Sequence, residues 1–400
     1  MQQPSSKTKV ATALAKGSAA EATTAIGSAL KQQLGDAKPA LVMAFSSTQQ
    51  PLGEVMPALC ETFASATVLG SSTAGEFTEA GDAKGSVAAF ALAGELRVHA
   101  GFGPHLRESP EHAVTTALAG LPPRNDRFPH RVGVILLDPL SGRGEEAALL
   151  AGEMLSHDGP VPLAGGAAGD DLAMRATEVA LGTKVHADAV VIATIDLATP
   201  VGLGVFHGHE PISPPLRVTK AAGNVVYEVD GRDAWSVWSE HTRAAARRRG
   251  VDPEALRDDE LGAFLLRYQA ALPSAAGHRV RAPLARGAGG SLTFATAIPE
   301  GARIRITESD PERQIASAGR AAREAKAKLG DRPIAGALVF DCICRNLILG
   351  QSFADAVGTI SRELGSVPLC GFETYGEVAL DEDDLSGFHN TTTVVLAFSS

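Results

Sequence analysis

One order of elements recurs three times along the chain, and it constrains the fold more than any other feature of the sequence. Each copy has an apolar segment typical of a buried strand, then a helical segment, a second apolar segment, a glycine-rich turn and a further strand. The copies begin near Leu41, Arg131 and Ile334. Because an internal repeat indicates one supersecondary unit used several times, the pattern predicts a symmetric body.

The turns of the three copies share a glycine followed by a carboxylate. They read G-S-S-T-A-G-E at 70–76 (the first turn), A-G-G-A-A-G-D at 164–170 (the second turn) and G-F-E-T-Y-G-E at 371–377 (the third turn). Each lies beside a V-L or P-L dipeptide. We therefore predict an α/β (α+β) fold, in which repeated β-α-β-β units form mixed sheets flanked by helices in two pseudo-related domains. If the strands are neighbours, the three turns converge on one pocket.

Charge and cysteine content narrow the class of protein. The net charge is -10 over 400 residues, and an acidic surface repels phosphate backbones, which disfavours nucleic-acid binding. Four cysteines do not form a disulfide framework and fit a reducing cytoplasm. No signal peptide or membrane-spanning apolar segment is evident, so we expect a cytoplasmic protein without direct membrane insertion.

The turns are the best candidates for a ligand site. Backbone N–H groups of a glycine-rich turn can bind an anion, and the turn carboxylates can bind an ammonium group. Arg345 follows the strand of the third copy and could hold a ligand carboxylate in bidentate fashion. The predicted ligand-binding residues are Ser71, Ser72, Thr73, Gly75, Glu76, Gly165, Gly166, Asp170, Arg345, Glu373, Thr374, Tyr375 and Glu377.

Each of these candidates also has a purely structural interpretation. The turns could be tight connections that need left-handed glycine, with the carboxylates capping the next element. Arg345 could form a salt bridge with Glu373 or Glu377. Both interpretations stay open at the level of sequence.

Cysteines and histidines offer weaker signals. Cys342 and Cys344 are two residues apart and would share a face on a strand, with Cys370 on the neighbouring strand. Structural zinc favours paired C-x-x-C spacing, so buried small hydrophobes are the better interpretation than a metal or redox site. His207 and His209 fall in a loop near the expected domain junction and are candidate haem ligands, although hydrogen-bonded or solvated histidines are commoner.

Signatures of enzymes mostly fail. The G-x-S-x-G pattern would need glycine at Ala74, and no G-K-S or G-K-T of a P-loop occurs. Gly202-Leu-Gly204 begins a dinucleotide-like run, but Gly208 comes one residue late for G-x-G-x-x-G. We therefore predict a protein that is not an enzyme, with a hydrolase that uses Ser72 or Cys370 as an alternative.

Several blocks of the chain resemble the FIST family. L-G-S-S-T-A-G-E-F and P-L-A-G-G-A-A-G-D-D are similar to turns of its N-terminal domain. V-F-H-G-H-E-P-I-S-P-P resembles the start of its C-terminal domain, whose strongest motifs resemble F-D-C-I-C-R-N-L-I-L-G-Q and V-P-L-C-G-F-E-T-Y-G-E-V-A. The resemblance runs from about residue 35 to the end. It implies an N-terminal tail and helix (1–34), a FIST N-terminal-like domain (35–208) and a FIST C-terminal-like domain (209–400).

The resemblance also carries the functional expectation. It implies a sensory domain of intracellular signal transduction that binds a small ligand, for which amino-acid-like molecules have been proposed. One bacterial branch binds haem b and senses nitric oxide, and it acts on histidine kinases of two-component signalling. We therefore expect a soluble small-ligand sensor that signals through a partner protein such as a histidine kinase. A haem-dependent nitric-oxide sensor is an alternative.

Overall fold

The computed structural model describes residues 7–274, 277–381 and 387–400. Within these ranges the chain repeats one unit three times: an edge strand, a helix, a strand, one or two further helices, a strand, a short hairpin and a returning strand. The elements of the first unit are β1 (Lys9–Lys16), α1 (Ala19–Leu34), β2 (Pro39–Ser46), α2 (Leu52–Thr62), β3 (Thr67–Ser72), β4 (Glu76–Thr78), β5 (Gly81–Ala83) and β6 (Ser86–Ala93).

The second unit follows directly and keeps the same order. Its elements are β7 (Leu96–Pro104), α3 (Pro110–Ala117), β8 (His130–Leu137), α4 (Gly144–Leu155), β9 (Leu163–Ala167), β10 (Val179–Leu181), β11 (Lys184–His186) and β12 (Ala189–Leu197). Ser18 and Glu21 form a capping box at the start of α1 in the first unit, and Ser109 caps α3 at the corresponding place in the second. Side-chain caps of this kind satisfy backbone N–H groups that a helix start leaves without partners.

The third unit is interrupted after its edge strand, β13 (Val201–His207), by residues 208–310, which we call the insertion. The elements of the insertion are β14 (Glu210–Pro211), β15 (Leu216–Ala222), β16 (Val225–Val229), β17 (Arg232–Asp233), α5 (Ala234–Arg247), α6 (Asp258–Arg267), β18 (Ala270–Ser274), β19 (Gly277–Arg281), β20 (Pro283–Arg286), β21 (Leu292–Phe294) and β22 (Arg303–Glu308). The unit resumes with α7 (Pro311–Leu329), β23 (Ile334–Cys342), α8 (Ile343–Leu349), α9 (Phe353–Leu364), β24 (Leu369–Thr374), β25 (Glu377–Leu380), β26 (Phe388–His389) and β27 (Thr392–Ser399).

Each unit builds the same sheet. Two parallel strands lie at its centre: β2 with β3, β8 with β9 and β23 with β24. The returning strand (β6, β12 or β27) pairs antiparallel with the first of these, and the edge strand (β1, β7 or β13) pairs antiparallel with the returning strand. The insertion forms a separate antiparallel sheet in the order β19-β18-β22-β15-β16-β21-β20.

The hairpin that follows each turn leaves its own unit and completes the sheet of another. Strand β4 of the first unit pairs with β24 of the third, β10 of the second pairs with β3 of the first, and β25 of the third pairs with β9 of the second. The exchange is therefore cyclic and closes on itself. As a result, the three turns that connect sheets and hairpins come together.

The hydrophobic core lies between the three sheets, and helices cover their outer faces. The Phe45 and Phe372 rings stack with centroids 4.6 Å apart, and Phe90 contacts Phe398 at 5.7 Å, so both contacts join the first and third units. Valines and leucines of β8 and β12 complete this cluster. Burying each such side chain contributes roughly 1.5–3 kcal/mol. The predicted class, with repeated units, mixed sheets and flanking helices, is confirmed.

Gly202 and Gly204 serve helix packing and do not cradle a phosphate. A Cβ atom on either glycine would lie 1.9 Å from a backbone oxygen of α7, that of Ala325 or Ala321. Gly101 and Gly103 of β7 approach α3 in the same way in the second unit. The glycine pattern that suggested a dinucleotide motif is therefore a feature of the edge strand in these two units.

Strands β1 and β13 were not predicted, and His207, which we placed in a loop, is the last residue of β13. Strand β1 lies in the stretch that we assigned to an N-terminal tail and helix, and it pairs with β6 along its whole length, from Lys9 opposite Ala93 to Lys16 opposite Ser86. Its alanine-rich sequence has the weak hydrophobic alternation of an edge strand, which gives little signal.

Candidate functional site

Backbone hydrogen bonds join the three turns directly. The N–H of Ala74 donates to the oxygen of Glu373 at 3.1 Å, and the N–H of Glu373 donates to Gly75 at 2.8 Å, which links the first and third turns. The second turn joins the first through Gly169, whose N–H donates at 3.0 Å to the oxygen of Ser72. It joins the third through Tyr375, whose N–H donates at 3.1 Å to Ala167. We call this arrangement the turn cluster.

The polar side chains of the turn cluster are buried and satisfy one another. Glu76 accepts hydrogen bonds from Thr73 and Ser86. Glu377 repeats this arrangement in the third unit, because it accepts from the Thr374 hydroxyl at 2.5 Å and from the N–H of Thr392 at 3.1 Å. All of these residues are at most 1% exposed.

Burial perturbs the carboxylates of the cluster strongly. It raises the pKa of Glu76 to about 7, against the opposing hydrogen bonds from Ser86 and Thr73. It raises the pKa of Glu373 to about 8, where Asn346 supplies one hydrogen bond and Oε2 has no partner among the described residues. The pKa of Glu377 is also raised, again chiefly by burial. Near neutral pH the carboxyl groups of Glu373 and Glu377 therefore stay largely protonated, whereas that of Glu76 is protonated only in part.

The carboxylate of the second turn caps a loop. Asp170 accepts three backbone hydrogen bonds, from Met174 at 2.8 Å, Arg175 at 2.6 Å and Ala176 at 3.0 Å, and a fourth from the Tyr375 hydroxyl at 2.6 Å. Burial opposes ionisation, but these hydrogen bonds outweigh it and lower the pKa of Asp170. The capping interpretation accounts for all of these contacts.

Glycines of the second turn are required by close packing. A Cβ atom on Gly165 would lie 2.0 Å from the backbone oxygen of Ile135, and one on Gly166 would lie 2.5 Å from Cγ2 of Thr374.

In the first turn, Ser71 is fully buried. The Ser72 hydroxyl accepts a hydrogen bond from the N–H of Glu178 at 2.9 Å and so anchors β10 to the first unit.

Arg345 lies beneath the surface in α8, and its salt bridge differs from the one we considered. It is fully buried and pairs with Asp341 at 2.7 Å, not with Glu373 or Glu377. It also donates to the Ser317 hydroxyl at 2.9 Å and to the backbone oxygen of Gln314 at 2.9 Å. Because α8 begins immediately after β23, the i,i+4 spacing places Arg345 over Asp341 at the strand end. The guanidinium thus ties α7 to the third sheet.

A cavity lies elsewhere, where the insertion meets the third unit. It encloses about 1120 Å³ and is called the cleft below. One wall is α7, and the others come from β13, its connection to β14, β19 and the ends of β25 to β27. The polar and aromatic lining residues are Phe206, His207, His209, Glu210, Ser274, His278, Arg279, Arg313, Ser317, Arg320, Arg323, Glu324, Lys328, Asp381, His389 and Thr392.

Both predicted haem-ligand histidines line the cleft, but their hydrogen bonds distinguish them. His207 Nε2 lies 2.8 Å from the backbone oxygen of His278 and must donate to it, whereas its Nδ1 accepts from the N–H of His209 at 3.3 Å. Both ring nitrogens of His207 are therefore engaged.

One ring nitrogen of His209 has no hydrogen-bond partner among the described residues. Its Nδ1 lies 3.1 Å from the Thr307 hydroxyl, whose own proton is donated to the backbone oxygen of Gln269 at 3.0 Å. The Thr307 oxygen consequently accepts, and the His209 proton sits on Nδ1. Burial lowers the pKa of His209 well below its ordinary value, so the ring is neutral. Its Nε2 then carries a buried lone pair with no partner among the described residues.

The cysteines are arranged differently from the strand pair that we expected. Cys342 ends β23, but Cys344 belongs to α8, because the chain turns into the helix between them. Cys370 lies on the adjacent strand, and burial raises the pKa of the Cys342 and Cys370 thiols. No group of three or more His, Cys, Asp or Glu residues in the described ranges is placed to hold a metal ion.

Family models for the FIST N domain and the FIST C domain match residues 40–232 and 237–380. The chain belongs to the FIST family. FIST domains are sensory domains of signal-transduction proteins. The first matched segment ends in β17 and the second begins in α5, both within the insertion.

An uncharacterized protein of Methanocaldococcus jannaschii is 28% identical to this FIST protein over 169 residues. The match covers 41% of this chain and 33% of that protein, so the chain spans about a third of the relative's length. Among the described residues, no helix combines the length and the apolar character needed to cross a membrane.

We did not predict the cleft residues of α7 from the sequence, although the spacing of its arginines indicates a shared face. Arg313 and Arg320 are seven apart and Arg320 and Arg323 are three apart, so the helix period places them on one side of α7. Each has the sequence context of an ordinary solvated arginine. Only the packing of β13 against α7, beside the His-Gly-His segment, reveals that they face the cleft.

Proposed function

We propose that this FIST protein senses a small ligand that binds in the cleft, and that it passes the signal to a partner protein. The observation that carries the proposal is the composition of the cleft wall. The insertion supplies His278 and Arg279, and the third unit supplies α7, Phe206 and His207. A cavity of about 1120 Å³ is large enough for a small molecule or cofactor.

A ligand in this position contacts two bodies with separate cores. The insertion has its own apolar cluster around Trp238 and Phe294, whose rings lie 5.9 Å apart, whereas α7 belongs to the core of the third unit. A ligand that binds one relative arrangement of these bodies more tightly shifts the population toward it. A partner protein that contacts the insertion or the third unit can then detect the change in their relative arrangement.

Thermal-shift screening of amino acids, organic acids, nucleotides and amines tests the binding step, since a ligand that binds the folded state raises the midpoint of unfolding. Ala316 is exposed and lines the cleft, so Ala316→Trp should abolish each genuine shift. Ala327 is exposed on the same helix outside the cleft, and Ala327→Trp is the matched control. Shifts that survive Ala316→Trp would place the ligand elsewhere.

A haem-dependent sensor is the second candidate, and the His209 lone pair favours it. A neutral imidazole with Nδ1 bound to a hydroxyl oxygen and Nε2 available suits an axial ligand of haem iron. Of the described residues, His209 would hold the iron, and Arg320 and Arg323 would face the propionate groups. When bound, haem would supply an iron atom that takes up a diatomic gas.

Hemin titration separates the two candidates. If haem binds through His209, the wild type gains a Soret band that His209→Ala weakens strongly. His207→Ala is the matched control, because both nitrogens of that ring are already engaged. A spectrum that is the same in His209→Ala and wild type would exclude this coordination.

We propose a histidine kinase as the partner, which follows from the family's signalling role. The measurement is kinase autophosphorylation with and without the protein, in the presence of a ligand found by the screen. If the kinase responds equally to the wild type and to Ala316→Trp, its response does not depend on ligand binding in the cleft.

A further inference from the structure

The α7 wall of the cleft carries an arginine whose charge no carboxylate balances in the described part of the chain. Arg313 pairs with Glu210 at 3.1 Å and with Asp310 at 3.3 Å, and Arg323 pairs with Glu363 at 2.5 Å. Arg320 lies between them, and its guanidinium contacts the ring of Phe206. Its charge is therefore available to a molecule in the cleft.

Contact with Phe206 pre-organises Arg320. The guanidinium carbon lies 3.8 Å from the ring centroid, which is within the range of a cation–π interaction. An arginine held over an aromatic face keeps its N–H edge free, and that edge matches the two oxygens of a carboxylate or phosphate. Less conformational entropy is lost on binding because the planar group is already positioned.

The insertion wall carries a second under-neutralised arginine. Nε of Arg279 is buried without a partner among the described residues. The carboxylate nearest to Arg279 is that of Glu145 at 4.0 Å, and Arg281 engages the same oxygen more closely at 2.5 Å. Arg279 and Arg320 thus bring incompletely balanced positive charge from the two bodies that form the cleft.

The net charge of the described lining residues is also positive. Among the described residues of the lining, the cations are Arg279, Arg313, Arg320, Arg323 and Lys328, and the carboxylates are Glu210, Glu324 and Asp381. Five positive against three negative charges leave +2, in a chain whose net charge is -10. His207, His209 and His389 do not add charge, because burial lowers the pKa of each ring. A cleft of this sign attracts anions and repels amines.

We infer that the ligand of the cleft carries a carboxylate or phosphate group, which Arg320 binds through its free N–H edge. The inference rests on the proposed sensor function and names the chemical class of its ligand. Arg320 is the specificity-determining residue, and Arg279 on the insertion side favours the same charge.

Calorimetric titration of the full chain at fixed ionic strength tests the inference with benzoate, phenyl phosphate and benzamide. Benzoate or phenyl phosphate should bind, and whichever of the two binds more tightly identifies the preferred oxyanion. Benzamide has the same ring without the charge and should bind at least about tenfold more weakly, as expected for loss of a charged hydrogen bond.

Arg320→Gln should weaken binding of the preferred anion about tenfold or more, since it removes the charged fork from an exposed side chain that the fold does not need. Arg362→Gln is the matched control, because Arg362 is exposed on α9 outside the cleft lining, and it should change affinity less than about threefold. Arg320→Lys keeps the charge without the fork and should be intermediate.

Three results would overturn the inference: no binding of either anion, benzamide binding equal to that of benzoate, or an unchanged affinity in Arg320→Gln. The sensor proposal fails separately. If the screen finds a neutral or cationic ligand that Ala316→Trp excludes, the cleft is a sensor site of another chemical class. If no compound of any charge binds there, both proposals fall.

Discussion

The backbone oxygen of Gly75 accepts a hydrogen bond from the backbone N–H of Glu373 at 2.8 Å. This bond joins the first turn to the third beside the buried side chain of Glu373. A Cβ atom at Gly75 would lie 2.6 Å from the carboxyl carbon of that glutamate. The glycine that the repeat pattern singled out is therefore needed for the close approach of two units. Gly376 occupies the same place in the third turn, where a Cβ would lie 2.3 Å from the Phe388 ring.

Gly75→Ala should destabilise the protein by about 2 kcal/mol, because the buried Glu373 carboxyl has no room to move away. Urea unfolding followed by circular dichroism measures the change. Gly53 lies on α2, where an added methyl group would have no atom within 4 Å, so Gly53→Ala should be neutral or slightly stabilising. Equal effects of the two substitutions would contradict the packing argument.

Stability should fall as the pH rises from about 4.5 to above 8. The folded protein raises the pKa of Glu76 to about 7 and that of Glu373 to about 8, mainly through burial. The folded state then holds protons that the unfolded state has released, and each unit of pKa difference corresponds to about 1.4 kcal/mol. The full contribution is present below the unfolded pKa and is lost as pH passes through the folded values.

Glu373→Gln isolates this effect. The amide has nearly the same shape and cannot ionise, so the fall in urea midpoint between pH 5 and pH 9 should become shallower. Glu54→Gln, on the exposed face of α2, should leave the slope as in wild type. An unchanged slope in Glu373→Gln would mean that this carboxyl does not titrate in the range.

Much of the fold could be predicted from the sequence, because the relevant signals are local. Apolar strands, helical spacing and turn glycines recur in each unit. The exchange of hairpins could not be predicted. Strand β4 pairs with β24, which lies in the third unit, and no local pattern encodes a partner so distant.

The candidate site was predicted less well than the fold. Most of the predicted ligand-binding residues were found in the turn cluster, where they contact one another. Arg345 was expected near a ligand because it follows a strand, yet the helix that starts at Ile343 directs it onto Asp341. The cleft depends on α7 and the insertion packing together, which is a tertiary relationship. Of the sequence candidates, His209 alone lines the cleft and has a buried ring nitrogen without a partner among the described residues.

Arg345→Met should destabilise the protein by about 3–5 kcal/mol, since it leaves the buried Asp341 carboxylate without its cation. The double variant Asp341→Leu with Arg345→Met should recover part of this loss, as apolar replacements of a buried pair often do. Denaturant unfolding of both variants gives the comparison. A cost below about 1 kcal/mol for Arg345→Met would show that the pair is dispensable.

Cutting the chain between residues 208 and 209 should give two fragments that do not fold alone. The first would keep β4 and β13 without their partners β24 and β27, and the second would keep β25 without β9. Co-expression of both fragments should restore a complex with native-like amide dispersion in NMR spectra. Cooperative unfolding of either fragment by itself would show that the exchanged strands are not essential.

The cyclic exchange of hairpins also determines how long a strand waits for its partner during translation. Glu79 follows β4 and accepts a hydrogen bond from the N–H of Leu369, a residue that is 290 positions further along the chain. At roughly 5–20 residues per second, a ribosome needs about 15–60 seconds to supply that partner. During this interval the β4 edge is exposed, and the first unit must wait for the last strands of the nascent chain. We therefore expect chaperones to protect the nascent chain until the ring closes.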